Sequence, residues 1–284
     1  MINTDGSRAR RRRVLRLVAL YATLTALALL FAVPYYVIIR NSLSSRADIT
    51  APTWTWFPSQ LQWQNLSELL KPGSSLLRGI LNSLTIAAVQ VFAQLAIAAS
   101  AGYGLARIRY RHRNLVFAAF LATMMVPSAV TFVPTFAVIA AFGWVNTFAG
   151  IIVPGLFNVF MVFIYRQFFL EFPRELEEAG RIDGLGYWGT FLRVVLPNSA
   201  GVTIALGSIG FINSWNAFLW PLVVGQDESK WTAQVAISTY LNSYSIDLPA
   251  LFAGSLLSVL PLVLLFFVFQ RYIVQGVKMT GVKG

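Results

Sequence analysis

The chain has no cysteine among its 284 residues. That excludes disulfides, thiolate metal sites and a cysteine nucleophile, and it leaves the redox compartment undetermined. Histidine occurs once, at His112, inside the basic loop Arg109-Tyr110-Arg111-His112-Arg113. No carboxylate lies near it in sequence, so it reads as a solvated bystander rather than an acid–base catalyst. Neither H-E-x-x-H nor G-x-S-x-G is present, which leaves an intramembrane hydrolase without a motif. The phosphate-cradling pattern G-x-x-x-x-G-K-[ST] is missing too, because none of the four lysines follows a glycine. The chain is therefore expected to be no enzyme, to hold no metal and no cofactor, and to leave any ATP hydrolysis to another polypeptide.

Charge is the other scarcity. Only 12% of residues are charged, about half the share usual in soluble domains. Against that, 57% are hydrophobic and mean hydropathy is +0.65. These values predict an all-α integral membrane protein. The net charge of +11 could suggest nucleic acid, but such binders spread Lys and Arg over one solvated face. Here the basic residues fall in clusters between apolar runs, so lipid is the expected surroundings and no nucleic-acid partner is expected.

Six runs are long enough to span a bilayer, which takes about 20 residues each. They cover roughly 17–39, 80–106, 115–141, 148–168, 198–224 and 250–270. The fourth is the least clean, with Arg166 and Gln167 near its end. Of the 22 basic residues, 17 fall on one side of this layout: six from Arg8 to Arg16, four from Arg107 to Arg113, Arg166, Arg174, Arg181, Arg193, Arg271, Lys278 and Lys283. Cytoplasmic loops collect Lys and Arg, so both termini are expected in the cytoplasm. The first apolar run is longer than a signal-peptide core and lacks a convincing cleavage site after it, so a retained first span is expected. The layout is a basic N-terminus at 1–16, a six-span domain at 17–277 and a tail at 278–284. Tryptophans in the outer loop 41–77 suit the membrane interface.

The cores 80–106, 115–141 and 198–224 contain no Asp, Glu, Lys, Arg or His. A secondary transporter or channel subunit usually needs charge at that depth, because charge there is costly and marks function. The spans do carry Gln90, Gln94, Asn158, Asn213 and Asn216, which suits a neutral polar solute better than an ion.

The segment 171–197 is the polar exception. Pro173 suits a helix start, Glu175, Glu177 and Glu178 favour a first turn, and Gly184 is a natural stop. The pattern predicts a short helix over 174–183, with Leu176, Ala179, Gly180 and Asp183 on one face and an i,i+4 pair between Glu177 and Arg181. Ala179 and Gly180 would leave that face flat enough for another backbone. Interfacial helices usually carry Lys and Arg on the polar face. An acid-rich one beside anionic lipid argues for a protein partner.

Glu178-Ala179-Gly180, three residues, Gly184, nine residues, then Val194-Val195-Leu196-Pro197 resembles the EAA loop of ABC importer permeases (E-A-A, three residues, G, nine residues, I-x-L-P). Asp183-Gly184 matches that motif's usual D-G; Gly180 and Val194 depart from it without loss of size or apolar character. Asn82-Ser83-Leu84 with Gly102-Tyr103-Gly104-Leu105-Ala106-Arg107, Trp215 through Leu222, and the tail from Gln270 to Gly276 and Gly281 to Gly284 resemble stretches of the carbohydrate-importer branch. The resemblance implies a type I ABC importer permease in a bacterial cytoplasmic membrane. It implies a heterodimer with a second permease, two cytoplasmic ATPases that bind ATP and Mg, and an extracytoplasmic sugar-binding protein. It assigns coupling to the ATPase to Glu178, Ala179, Gly180, Asp183, Gly184, Leu196 and Pro197.

The expected cargo is a neutral mono- or oligosaccharide. Close relatives carry polyol phosphates such as glycerol 3-phosphate, a path that would want Arg or Lys near membrane depth. Asn213, Trp215 and Asn216, with Asn158, admit two readings: sugar contacts along the path, or interhelical hydrogen bonds with the tryptophan at the interface.

Overall fold

The computed structural model describes residues 4–241 and 246–281, and the side-chain surroundings of 13–241 and 246–272. Lys283 and the end of the tail motif at 282–284 lie outside the described residues, as do residues 1–3 and part of the outer loop at 242–245. Among the described residues the chain is helical, with one isolated bridge between Leu241 and Ile246.

The principal helices are α1 (Thr4–Ser42), α2 (Ser75–Arg107), α3 (Arg113–Met124), α4 (Ser128–Ala141), α5 (Val159–Glu171), α6 (Arg174–Ile182), α7 (Ala200–Trp215) and α8 (Leu248–Gly281). Four stretches are long and apolar enough to cross a membrane: Arg13–Ser42, Ser75–Arg107, Phe148–Glu171 and Leu248–Tyr272. Two bent pairs raise the number to six if each pair forms one span.

The first bend divides the run expected over 115–141, and the second falls at the start of the run 198–224, next to Pro197. The run 115–141 is α3 and α4, set at 97° to one another. Pro127 is the cause: it disfavours helical backbone at Val126, and it enters α4 with ψ of 133°. The run 198–224 is likewise divided. Tyr187–Asn198 meets α7 at 76°, α7 ends at Trp215, and a further helix spans Leu219–Val224. Pro197 gives no backbone N–H, a π-helical turn spans Phe191–Val195, and the bend falls at Ser199.

α2 is the hub, packing on α5, α7 and the short helix Ala233–Ser238. Small residues allow the approach to α5. A Cβ on Gly102 would fall 2.7 Å from the Tyr165 Cβ, so only glycine fits that crossing. Ala98, Ala99 and Ala106 of α2 join Met161, Val162, Tyr165 and Phe169 of α5 in one buried cluster. Arg166, the charge that blurred the fourth run, lies 3.9 Å over the Phe117 ring. α1 packs on α8 and leaves Leu24, Leu29, Leu30 and Phe31 exposed, as a lipid-facing helix should.

The fourth run is broken inside. Phe148–Ile152 passes into a 3-10 turn at Val153–Gly155, and α5 restarts after Asn158, whose Oδ1 accepts the Met161 N–H at 3.1 Å. The break at Val153–Gly155 leaves backbone carbonyls that lipid could not satisfy. Two amides of α2 take them. Gln90 Nε2 donates to Ile151 O at 3.3 Å and Ile152 O at 3.1 Å, and Gln94 Nε2 donates to Gly155 O at 2.6 Å. Ser214 Oγ then donates to Gln90 Oε1 at 2.7 Å. Gln90 and Gln94 thus satisfy backbone at the break, and Asn158 caps the helix that restarts after it. Near the start of α2, Asn82 Nδ2 donates to Ser229 O and Trp231 O at 3.0 and 2.8 Å, and Ser83 Oγ accepts the Ala233 N–H at 2.9 Å. The Asn82-Ser83 pair is therefore a staple for the segment 229–233.

Candidate functional site

α6 forms where the sequence predicts it. Pro173 holds the N-cap position, Glu175 and Glu177 fall in the first turn, and Asp183 is the C-cap. Gly184 takes φ of +81°, a left-handed conformation that costs other residues about 1 kcal/mol or more. The Leu185 N–H donates to Gly180 O and the Gly184 N–H to Arg181 O, both at 3.0 Å, the two bonds of a Schellman stop. Leu185 closes over Gly180, within 3.4 Å of where a Cβ would stand.

This stop fixes which way the helix faces. Gly180 is buried, with Val194 Cγ2 at 3.3 Å from its would-be Cβ, so it belongs to the inner packing rather than to the outward surface expected for it. Glu177 is buried beside it at 4% exposure. The outward surface carries Leu176 (44% exposed) and Ile182 (87%), with Glu178, Ala179 and Asp183 exposed alongside. A flat apolar strip bordered by carboxylates remains.

Glu177 does not pair with Arg181. Its Oε1 lies 2.7 Å from Nε of Arg107, the last residue of α2, and both side chains are buried. The Nε–H is not aligned on the oxygen, so the contact is an ion pair more than a directed hydrogen bond. The same guanidinium donates to the Phe172 carbonyl through its second arm. Arg107 thereby fastens the root of α6 to the longest internal helix. Arg181 instead stacks 5.0 Å from the Tyr187 ring centre. Nothing in local spacing pointed to the Arg107–Glu177 pair; its one trace in the sequence is that Arg107 closes the Gly102–Arg107 motif.

The remaining assigned residues divide. Glu178, Ala179, Asp183 and Gly184 stand together on α6 and its stop. Leu196 packs on the cluster around Tyr165 and Val195, and Pro197 is exposed at the 76° bend. Asn213 is exposed. Asn216 is exposed too, and its Oδ1 accepts Gln234 Nε2 at 3.5 Å. Trp215 is 0% exposed, with its indole N–H donating to Ser258 O at 3.0 Å and its ring stacked on Phe211. That indole presents no face to a solute and serves as an anchor between α7 and α8.

The site is thus a short helix, braced from behind by Gly180 and Glu177, that projects an exposed apolar strip from a multi-helix chain. Residues 94–279 match the family described as binding-protein-dependent transport system inner membrane component, and the chain belongs to that family. It is 30% identical over 269 residues to the arabinooligosaccharides transport system permease protein AraQ of Bacillus subtilis, covering 94% of this chain and 96% of that one. It is 32% identical over 256 residues to the sn-glycerol-3-phosphate transport system permease protein UgpE of Yersinia pestis, covering 87% and 91%. Its fold matches, with a TM-score of 0.80, a chain of a bacterial ABC transporter involved in the import of the acidic polysaccharide alginate. That match has 22% identity and covers 93% of this chain and 98% of the other.

Proposed function

We propose that this chain is one of two permeases lining the path of an ATP-driven saccharide importer in a bacterial inner membrane, and that α6 is its docking element for a separate ATPase. The observation that carries the reading is the division of α6 into two faces. Gly180 and Glu177 hold it from behind, while Leu176, Ala179 and Ile182, bordered by Glu178 and Asp183, face outward. A helix braced on one side and flat on the other transmits a push as rigid-body motion, since packed interfaces shift between discrete arrangements. The ATPase partner would bind ATP and Mg; a second permease would complete the path and a binding protein would deliver cargo. The basic loops, α6 and both termini would face the cytoplasm.

A neutral saccharide is the preferred cargo, supported by the similarity to AraQ and by the absence of ionisable residues in 198–224. The similarity to UgpE favours glycerol 3-phosphate as the second reading. The test is purification of the tagged full-length chain from its native membrane. An ATPase with a G-x-x-x-x-G-K-[ST] motif is expected to come with it, and to be lost from an Ile182→Asp variant that still inserts. Co-purification unchanged by that substitution would remove α6 from the docking role. Competition of labelled arabinooligosaccharide uptake by glycerol 3-phosphate separates the two cargoes.

A further inference from the structure

A cavity of about 850 Å³ opens behind α6, between the end of α2, the start of α3 and the end of α5. Six arginines line it: Arg107, Arg109, Arg111, Arg113, Arg174 and Arg181. The acids there are Glu177 and Glu178, so the lining carries an excess of four positive charges. Arg107 is engaged by Glu177, Arg181 by the Tyr187 ring, and Arg113 donates to Ala106 O at 3.3 Å. Among the described residues no carboxylate comes within 4.0 Å of Arg109, Arg111 or Arg174.

Topology alone accounts for basic residues in this loop, but not for their convergence. Arginines that only mark a side of the membrane repel one another and would spread over solvent. Here they come from three elements to one concavity, an arrangement that an anion would stabilise. Guanidinium forks match phosphate oxygens two at a time. α2 and α5 end and α3 begins at the cavity, so in a chain that spans a bilayer it would lie near the headgroups. Tyr187, Trp188 and Leu192 stand exposed next to it, a combination suited to the bilayer boundary.

We propose that this cavity is a phosphate site occupied by the phosphodiester headgroup of an anionic phospholipid, held against the rear of α6. The lipid would supply the missing negative charge and hold the 107–113 loop beside the docking helix. The inference does not depend on α6 contacting an ATPase; it requires only that the chain spans a bilayer.

The test uses the full-length chain in vesicles of phosphatidylcholine containing a minority of phosphatidylglycerol, extracted gently and weighed by native mass spectrometry. Wild-type chain is expected to retain phosphatidylglycerol over phosphatidylcholine, and Arg109→Gln/Arg111→Gln to lose that enrichment by about fivefold or more. Both arginines are exposed loop residues, and an unchanged melting temperature confirms that the variant is folded. Arg13→Gln/Arg193→Gln removes the same charge outside the cavity and is expected to keep the enrichment. Retention unchanged in the first variant, or lost equally in the second, overturns the proposal. Displacement of the lipid by millimolar inorganic phosphate would also overturn it, because the site would then belong to a soluble anion.

Discussion

Ala179→Asp is expected to reduce ATP-driven uptake by at least about tenfold while the chain remains inserted and folded; tenfold corresponds to about 1.4 kcal/mol. The asymmetry follows from where Ala179 lies. It is exposed on the outward strip of α6, so the isolated chain loses at most about 0.7 kcal/mol of helix propensity. In an assembled importer the same carboxylate would be buried without a partner, a cost of several kcal/mol. The check is uptake by proteoliposomes carrying all subunits, alongside a protease-resistance comparison of the chain alone. Normal uptake with cargo-stimulated ATP turnover would show that the strip does not touch the ATPase. Gly180→Asp is a useful contrast: its side chain would meet Val194 and Leu185, so it should disturb the chain by itself.

Glu177→Ala should be the most damaging change in the loop for stability. It leaves the Arg107 guanidinium, whose side chain is 7% exposed, without its counter-charge. Breaking one partner of a buried pair costs about 3–5 kcal/mol. At about 2–4 °C per kcal/mol that lowers the melting temperature by roughly 10 °C. The ion pair, rather than the volume of the side chain, is the cause. Adding Arg107→Leu should therefore recover most of the loss, a non-additivity that a double-mutant cycle measures. Simple addition of the two effects would mean that Glu177 acts only by packing.

These residues show what was legible beforehand. Local rules found α6 almost to the residue, because Pro173, the first-turn acids and Gly184 act within the helix itself. The same rules could not say which side of α6 is inward. Leu176, Ala179, Gly180 and Asp183 share a helical face by spacing, yet the Schellman stop turns Gly180 toward Leu185 and Val194 while Ala179 looks out. Spacing also chose Arg181 for Glu177, since a partner 70 positions away leaves no periodic trace. Hydropathy found the apolar runs but not the 97° bend at Pro127, because a hydropathy window sums polarity and is blind to backbone angles. Gln90 and Gln94 have a structural role that spacing does not reveal, for a related reason. Their partners are carbonyls left by the helix break at Val153–Gly155 in another segment, and polar residues in a span look alike whether they serve a solute or a broken helix.

The absence of native cysteine makes one measurement unusually direct. Ile182 is 87% exposed at the tip of α6, so Ile182→Cys gives a single labelling site there. With a membrane-impermeant maleimide, the account predicts no labelling in sealed right-side-out vesicles and full labelling in inverted ones, with protection when the ATPase is bound. Labelling from the outer face, or labelling in inverted vesicles that the ATPase never blocks, would contradict it.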